Sequence, residues 1–141
     1  MREILFRGRI KNAASDWIES CNINTQYDYN GEKHVYIGLY YENPIYPLQK
    51  NIDWVEVIPE TVGQFTGLID KNGKKIFEGD VLTQGKDKWV VEWTSYDYED
   101  TEDNVMIGTV VCKDIDGNWF YISKRDEVIG NIHDNPELLG E

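Results

Sequence analysis

The sequence predicts an all-β chain, on three observations. Aromatic residues make up 13% of its 141 positions, with five Trp and nine Tyr, and flat side chains of this kind favour the pleated, half-buried surface of a sheet. Short runs in which apolar and polar residues alternate recur along the chain, the period of a strand with one wet face. Breaks rich in Gly, Pro, Asn and Asp separate those runs, and almost nothing carries the 3.6-residue period of an amphipathic helix.

The elements follow in order. Ile4 to Ile10 mixes apolar positions with Arg7 and Arg9, as a half-wet strand requires. Asn12 to Ser15 reads as a turn, and Asp16 to Cys21 as the antiparallel return that completes a hairpin. Asn22 to Lys33 is polar and is expected to be turn-rich. His34 to Tyr41 is dense in β-branched and aromatic residues and predicts a third strand, which Asn43-Pro44 stops. After an irregular connection through Pro44 and Pro47, Asp53 to Val57 resumes the alternation until Pro59 closes it. Pro59 to Gly63 then suits one short helical turn, with Pro at its first position and Gly after its last. That turn is expected to separate an N-terminal β subdomain, residues 1–58, from a second domain, residues 59–141.

The second domain reads as a meander. Gln64 to Ile69 leads through Asp70-Lys71-Asn72-Gly73, where Asn and Gly accept positive φ at little cost, into Lys74 to Phe77. Glu78-Gly79-Asp80 breaks the chain before Val81 to Gln84, and Gly85 to Asp87 joins that strand to Lys88 to Trp93. Val105 to Lys113, a turn at Asp114 to Asn118, Trp119 to Ile122 and Glu127 to Ile132 complete the set. Short strands with tight glycine turns curl into a compact barrel or roll rather than an α/β enzyme core. Trp89, Trp93, Trp119 and Tyr121 are expected to fill it, and Trp17 and Trp54 to pack as core between the two halves. Asp80 is expected to accept hydrogen bonds from a neighbouring turn's backbone.

Three segments resemble the YopX family of phage and prophage proteins: Met1 to Arg7 at the start, Thr61 to Val81 in the middle and Val128 to Leu139 at the end. The middle segment, with Gly67-Leu68-Ile69-Asp70-Lys71-Asn72-Gly73-Lys74-Lys75-Ile76-Phe77-Glu78-Gly79-Asp80, is long enough to be specific. The resemblance implies a β-rich fold whose C-terminal half is a small SH3-like barrel, and an origin in a bacteriophage or integrated prophage genome. It brings no enzymatic activity and no catalytic residues. Gly67, Gly73 and Gly79 have a structural reason of their own, as places of sharp reversal where a Cβ would clash.

Composition narrows the function. Lys and Arg number 14 against 26 Asp and Glu, a net charge of −12, so a phosphate backbone is repelled on average. Cys21 and Cys112 are too few and too far apart for a disulfide scaffold or a C-x-x-C metal knuckle, and are read as reduced, packed thiols. No run approaches the length of a membrane span and the N-terminus has no apolar stretch suited to a signal peptide, so a cytoplasmic protein of the bacterial host is expected.

Motifs that carry chemistry are sparse. Asp114-x-Asp116-Gly117 has its Gly at the fourth position, where a calcium loop needs it at the sixth, and a hairpin turn explains it better. Asp97, Glu99, Asp100, Glu102 and Asp103 read as an exposed, solvated segment. His34 and His133 lack a second ligand at i+2 or i+4. Neither is framed with Ser20, Ser95, Ser123, Cys21 or Cys112 by a nucleophile elbow or an oxyanion loop, and no glycine-rich phosphate loop is followed by a helix. No catalytic, cofactor-binding or metal residue is therefore assigned. The expectation is a non-catalytic binding or accessory module that contacts phage or host protein, and self-association stays open. The alternative is a nucleic-acid-associated role, either direct binding through Lys71, Lys74 and Lys75 or acidic mimicry that inhibits a host DNA-binding enzyme.

Overall fold

The computed structural model describes residues 3–13, 16–42, 44–45, 50–97, 106–113 and 119–138, with backbone alone at 42, 50, 93–97, 106–113 and 119–120. Described residues fold into antiparallel strands and two single 3-10 turns, as an all-β reading requires. None of their helices is long and apolar enough to cross a membrane. The chain divides into two compact units, Met1–Phe65 and Thr66–Glu141.

In the first unit, β1 (Phe6–Arg9) pairs with β2 (Trp17–Ser20) as the predicted hairpin. Arg7 lays its guanidinium 4.9 Å from the centroid of the Trp17 ring, a cation–π contact between diagonal neighbours on the two strands. A second sheet is built from β3 (Asn22–Tyr27), β4 (Lys33–Glu42) and β5 (Lys50–Val57), with β4 in the centre. β3 corrects the expectation of a turn-rich segment there. Its sequence, Asn-Ile-Asn-Thr-Gln-Tyr, is polar because its outer half is exposed, and pairing with the apolar β4 holds it extended. The β1 end is tied to the β5 end by Ile58 N–H donating to the Arg9 carbonyl and Lys11 N–H to that of Glu56. Ile18, Val35, Ile37 and Val57 form the buried centre, with Phe6, Ile10, Ile23, Val55 and Val62 packed against it. The 3-10 turn Pro59–Thr61 begins on its proline as predicted, and β6 (Gly63–Ile69), which pairs with β1 through Phe6 and Gln64, carries the chain into the second unit.

The second unit opens with the hairpin from β6 to β7 (Lys75–Phe77) and continues into β8 (Asp80–Thr83). β9 (Lys88–Asp97), β10 (Met106–Lys113) and β11 (Trp119–Phe120) extend a meander from β8, and β12 (Glu127–Asn131) pairs on the other side of β8. Gly73 and Gly79 have φ of 82° and 92°, in the left-handed region that only Gly enters freely. Gly67, with φ of 87°, differs from the reading of a reversal: it lies inside β6, where a left-handed residue bends a strand rather than ending it. Beside it the buried Thr66 hydroxyl donates to the Ile76 carbonyl and accepts from Leu68 N–H.

Ile76, Leu82, Trp89 and Val91 make the second core, with Ile122 and Val128 against it. Trp89 is therefore in the place expected of it, and Trp17 is half-buried. Two aromatic expectations are corrected. Tyr121 is 82% exposed, beyond the last paired residue of β11. Trp54 is 44% exposed, because Val55 and Val57 take the inward positions of β5 and the pleat turns the alternate residue outward. Cys21 is likewise exposed rather than packed, at the single-residue bend between β2 and β3. The side chains of Trp93, Trp119 and Cys112, the acidic residues after Asp97, and the Asp114–Asn118 turn lie outside the described residues.

Candidate functional site

Register decides what the β3–β5 sheet shows on its two faces. Val35 lies opposite Val57 and Ile37 opposite Val55, and these face the core. The alternate residues point the other way: His34, Tyr36, Gly38 and Tyr40 from β4, Glu56, Trp54 and Ile52 from β5, and Asn24 and Gln26 from β3. In the middle of that face Gly38 lies opposite Trp54, and a Cβ on Gly38 would stand 2.5 Å from Ile52 Cγ2 and 2.9 Å from the Trp54 ring. The glycine thus leaves the room that Trp54 and Ile52 fill. Tyr40 beside them is 59% exposed. Five of the eleven large apolar side chains that the described residues leave exposed, Tyr27, Leu39, Tyr40, Tyr41 and Trp54, stand on these three strands, and of the five Tyr40 and Trp54 share the face of Gly38.

One end of this face holds a polar cluster. Asp28 follows β3 and turns the chain back: its Oδ1 accepts the Asn30 and Glu32 N–H groups at 2.9 and 3.0 Å, and Gly31 supplies the positive φ of 79°. Asp28 Oδ2 is then 3.0 Å from His34 Nε2, while His34 Nδ1 is 2.8 Å from Glu56 Oε2 on β5. Lys11 Nζ reaches the same Glu56 oxygen at 3.2 Å. Ionised carboxylates only accept, and a neutral imidazole donates from one nitrogen only, so both contacts are hydrogen bonds at once only for the imidazolium. The bond from Glu56, then that from Asp28, accordingly raises the His34 pKa above its ordinary value against a small opposing effect of burial. The Asp28 and Glu56 carboxyls are lowered, each first by its bond to His34. No ligand spacing at i+2 or i+4 announces this cluster in the sequence, because Glu32 and Asp28 precede His34 and Glu56 comes from another strand.

A pH window follows. The contribution of His34 is complete below about pH 6.5, its unfolded value, and is lost as pH rises through its raised folded value. Those of Asp28 and Glu56 hold above about pH 4 and are lost as pH falls through their lowered folded values. Amide-exchange protection at Asn30, Gly31 and Glu32 is expected to peak between those limits and to flatten in His34→Gln. A wild-type profile that already runs flat from about pH 4 to 8 refutes the clamp.

In the second unit each buried carboxylate accepts at least one backbone N–H. Asp70 Oδ1 accepts the N–H groups of Asn72 and Lys74 at 2.8 Å each, and its Oδ2 that of Val128 at 3.0 Å. Asp80 Oδ2 accepts from Phe77 N–H at 2.8 Å, the turn role expected of it. Asp126 accepts from Ser123 N–H and Gln84 Nε2. His133 lies in the turn that Asn131 Oδ1 closes by accepting its N–H and that of Asp134. Ser20 donates to the Gly38 carbonyl, and the Ser123 hydroxyl accepts from Arg125 N–H. Lys71, Lys74 and Lys75 are exposed at the hairpin tip, where Lys71 meets Glu127 at 3.4 Å.

The two motifs most specific in the sequence are therefore neighbours in space. Asp70 holds Val128, Ile132 N–H donates to the Gly79 carbonyl at 3.0 Å, and β12 lies against β8. No curated protein matches the chain. Over the whole length, the crystal structure of protein EF1440 from Enterococcus faecalis has the same fold, with a TM-score of 0.52 at 20% identity, covering 99% of each chain. The YopX protein family matches residues 9–140. A match of that extent takes in the β3–β5 sheet and the glycine-punctuated meander alike, and the chain belongs to the YopX family.

Proposed function

We propose that this protein is a phage- or prophage-encoded module that acts in the host cytoplasm by binding another protein and carries out no chemistry itself. The observation that carries this reading is the aromatic face around Gly38. Trp54 and Tyr40 stand exposed on paired strands, with Ile52 beside them and Tyr36 on the same face, a composition that distinguishes protein contact surfaces from ordinary solvated sheet. The buried carboxylates of the second unit support it from the other side, since Asp70, Asp80 and Asp126 are used in holding turns. The net charge of −12 favours a protein partner over nucleic acid. The second unit fits a supporting role as a small SH3-like roll: its first sheet strand, β8, pairs with its last, β12, while β9, β10 and β11 follow as a meander, the connectivity by which five short strands curl on themselves.

Capture from induced or infected host cells, with the wild type beside a Tyr40→Ser, Trp54→Ser double variant, tests the reading. Both side chains are exposed, so the variant is expected to melt with the wild type and to lose a protein that the wild type retains. Equal capture by both, or salt-sensitive binding of labelled DNA by the purified chain, refutes it.

A further inference from the structure

We propose that the end of the β3–β4 hairpin binds a divalent transition-metal ion of the zinc class, with His34 Nε2 and the carboxylates of Asp28 and Glu32 as its ligands. One ligand atom from each of the three lies within 4.8 Å of the others. Asp28 Oδ2 and His34 Nε2 are 3.0 Å apart, close to the roughly 3.3 Å that separates two ligands of a tetrahedral zinc whose bonds are about 2.0–2.1 Å. The histidine, more than the acids, gives the site its character. Glu56 is outside the ligand set, on β5, and its Oε2 at 2.8 Å accepts a hydrogen bond from Nδ1–H. Lys11 from the end of β1 holds that carboxylate in turn. A metal-bound histidine is ordinarily oriented by this arrangement, in which a carboxylate fixes the tautomer so that the other nitrogen's lone pair faces the ion.

Two of the ligands, Asp28 and His34, are held in place by hydrogen bonds before any ion arrives. Backbone N–H groups of Asn30 and Glu32 hold Asp28 Oδ1 and leave Oδ2 for coordination. The Gly31 turn brings Glu32 back beside Asp28, whose N–H donates to the Glu32 carbonyl at 3.0 Å. On binding, the ion takes the place of the Nε2 proton between His34 and Asp28, and that proton leaves to solvent. Imidazole nitrogen with two carboxylates suits zinc and its neighbours, whereas calcium and magnesium require oxygen ligands in greater number. Three protein ligands leave the fourth position to water or to a donor from a partner. The inference is independent of the aromatic face and survives its failure.

Calorimetric titration of the full chain with zinc chloride, alongside 1H–15N spectra, tests it. One ion per chain is expected, with shifts confined to the segment from Asp28 to His34 and to Glu56. His34→Gln and Asp28→Asn are expected to abolish binding. Glu56→Gln, which spares every ligand, is expected to weaken it about 10–100-fold, with melting curves showing that the variants remain folded. Absence of saturable heat overturns the site. Equal affinity in His34→Gln overturns it too, because an ion on Cys21 or on the acidic residues 97–103 would persist there. Binding of calcium in preference to zinc is a third overturning result.

Discussion

Asp70→Ala is expected to lower the unfolding free energy by roughly 2–4 kcal/mol. The carboxylate is 5% exposed and serves three backbone N–H groups. Removing it strips all three of their acceptor. Water can reach the Asn72 and Lys74 amides, which belong to exposed residues, whereas the Val128 amide is half-buried on β12 where it pairs with β8, and it loses the acceptor that Asp70 gives it. Urea denaturation measures the loss, and amide exchange at Val128 locates it. Asp70→Asn is expected to fall between the two, since it keeps the shape but replaces charge-assisted bonds with weaker ones and turns an NH2 toward a donor. A variant as stable as the wild type refutes the role.

Acid provides a second measure of the same residue. Burial pushes the Asp70 carboxyl up, but the N–H groups of Val128, Lys74 and Asn72 and the Lys74 charge outweigh it, and its pKa lies below the ordinary value. A lowered folded pKa contributes stability above the unfolded value, about 3.9, and that contribution disappears as pH falls through the folded value. Below about pH 4 the wild type should therefore lose stability more steeply than Asp70→Ala. Parallel slopes would show that the carboxylate is not what the acid limb reports.

Gly8→Ala should cost about 1–3 kcal/mol for a different reason, overpacking. A Cβ on Gly8 would stand 2.9 Å from both Cβ and Cγ2 of Val57 and 3.1 Å from its Cγ1. Val57 is 0% exposed and wedged among Ile18, Val35 and Ile37, so it has no empty volume to enter. The clash acts between the new Cβ, fixed to the β1 backbone, and a β5 side chain, and relieving it means moving β1 away from Val57, to which the chain just after β1 is joined by the Ile10–Val57 bridge. A double-mutant cycle with Val57→Ala checks this by chemical denaturation. The alanine at 57 makes the room that the alanine at 8 needs, so the pair should be less destabilised than the two singles added together. Strict additivity would mean that the two residues do not touch.

Much of this fold was legible because its causes are local. The Asp70–Gly73 hairpin, the 3-10 turn beginning at Pro59 and the β1–β2 hairpin each follow from turn chemistry and alternation within a few residues. β3 was not legible, since Asn22 to Tyr27 carries little apolar content of its own and is a strand because β4 lies beside it. Gly67 was misread for the same reason, as a positive φ within β6 needs a neighbouring strand to make it a bend and not an end.

The candidate site was less legible still. His34 and Glu56 are 22 residues apart and meet only because β4 and β5 pair with Tyr36 opposite Glu56. The exposure of Trp54 depends on that same register, for a shift of one residue would bury it and expose Val55 and Val57. The sequence by itself determined the strands other than β3, their breaks and the excess of negative charge, because these depend on residues adjacent in the chain. Which aromatic rings face solvent, which carboxylates meet His34 and which distant amide Asp70 holds were decided by tertiary structure alone, because strand register, a property of two segments together, sets the distance between them.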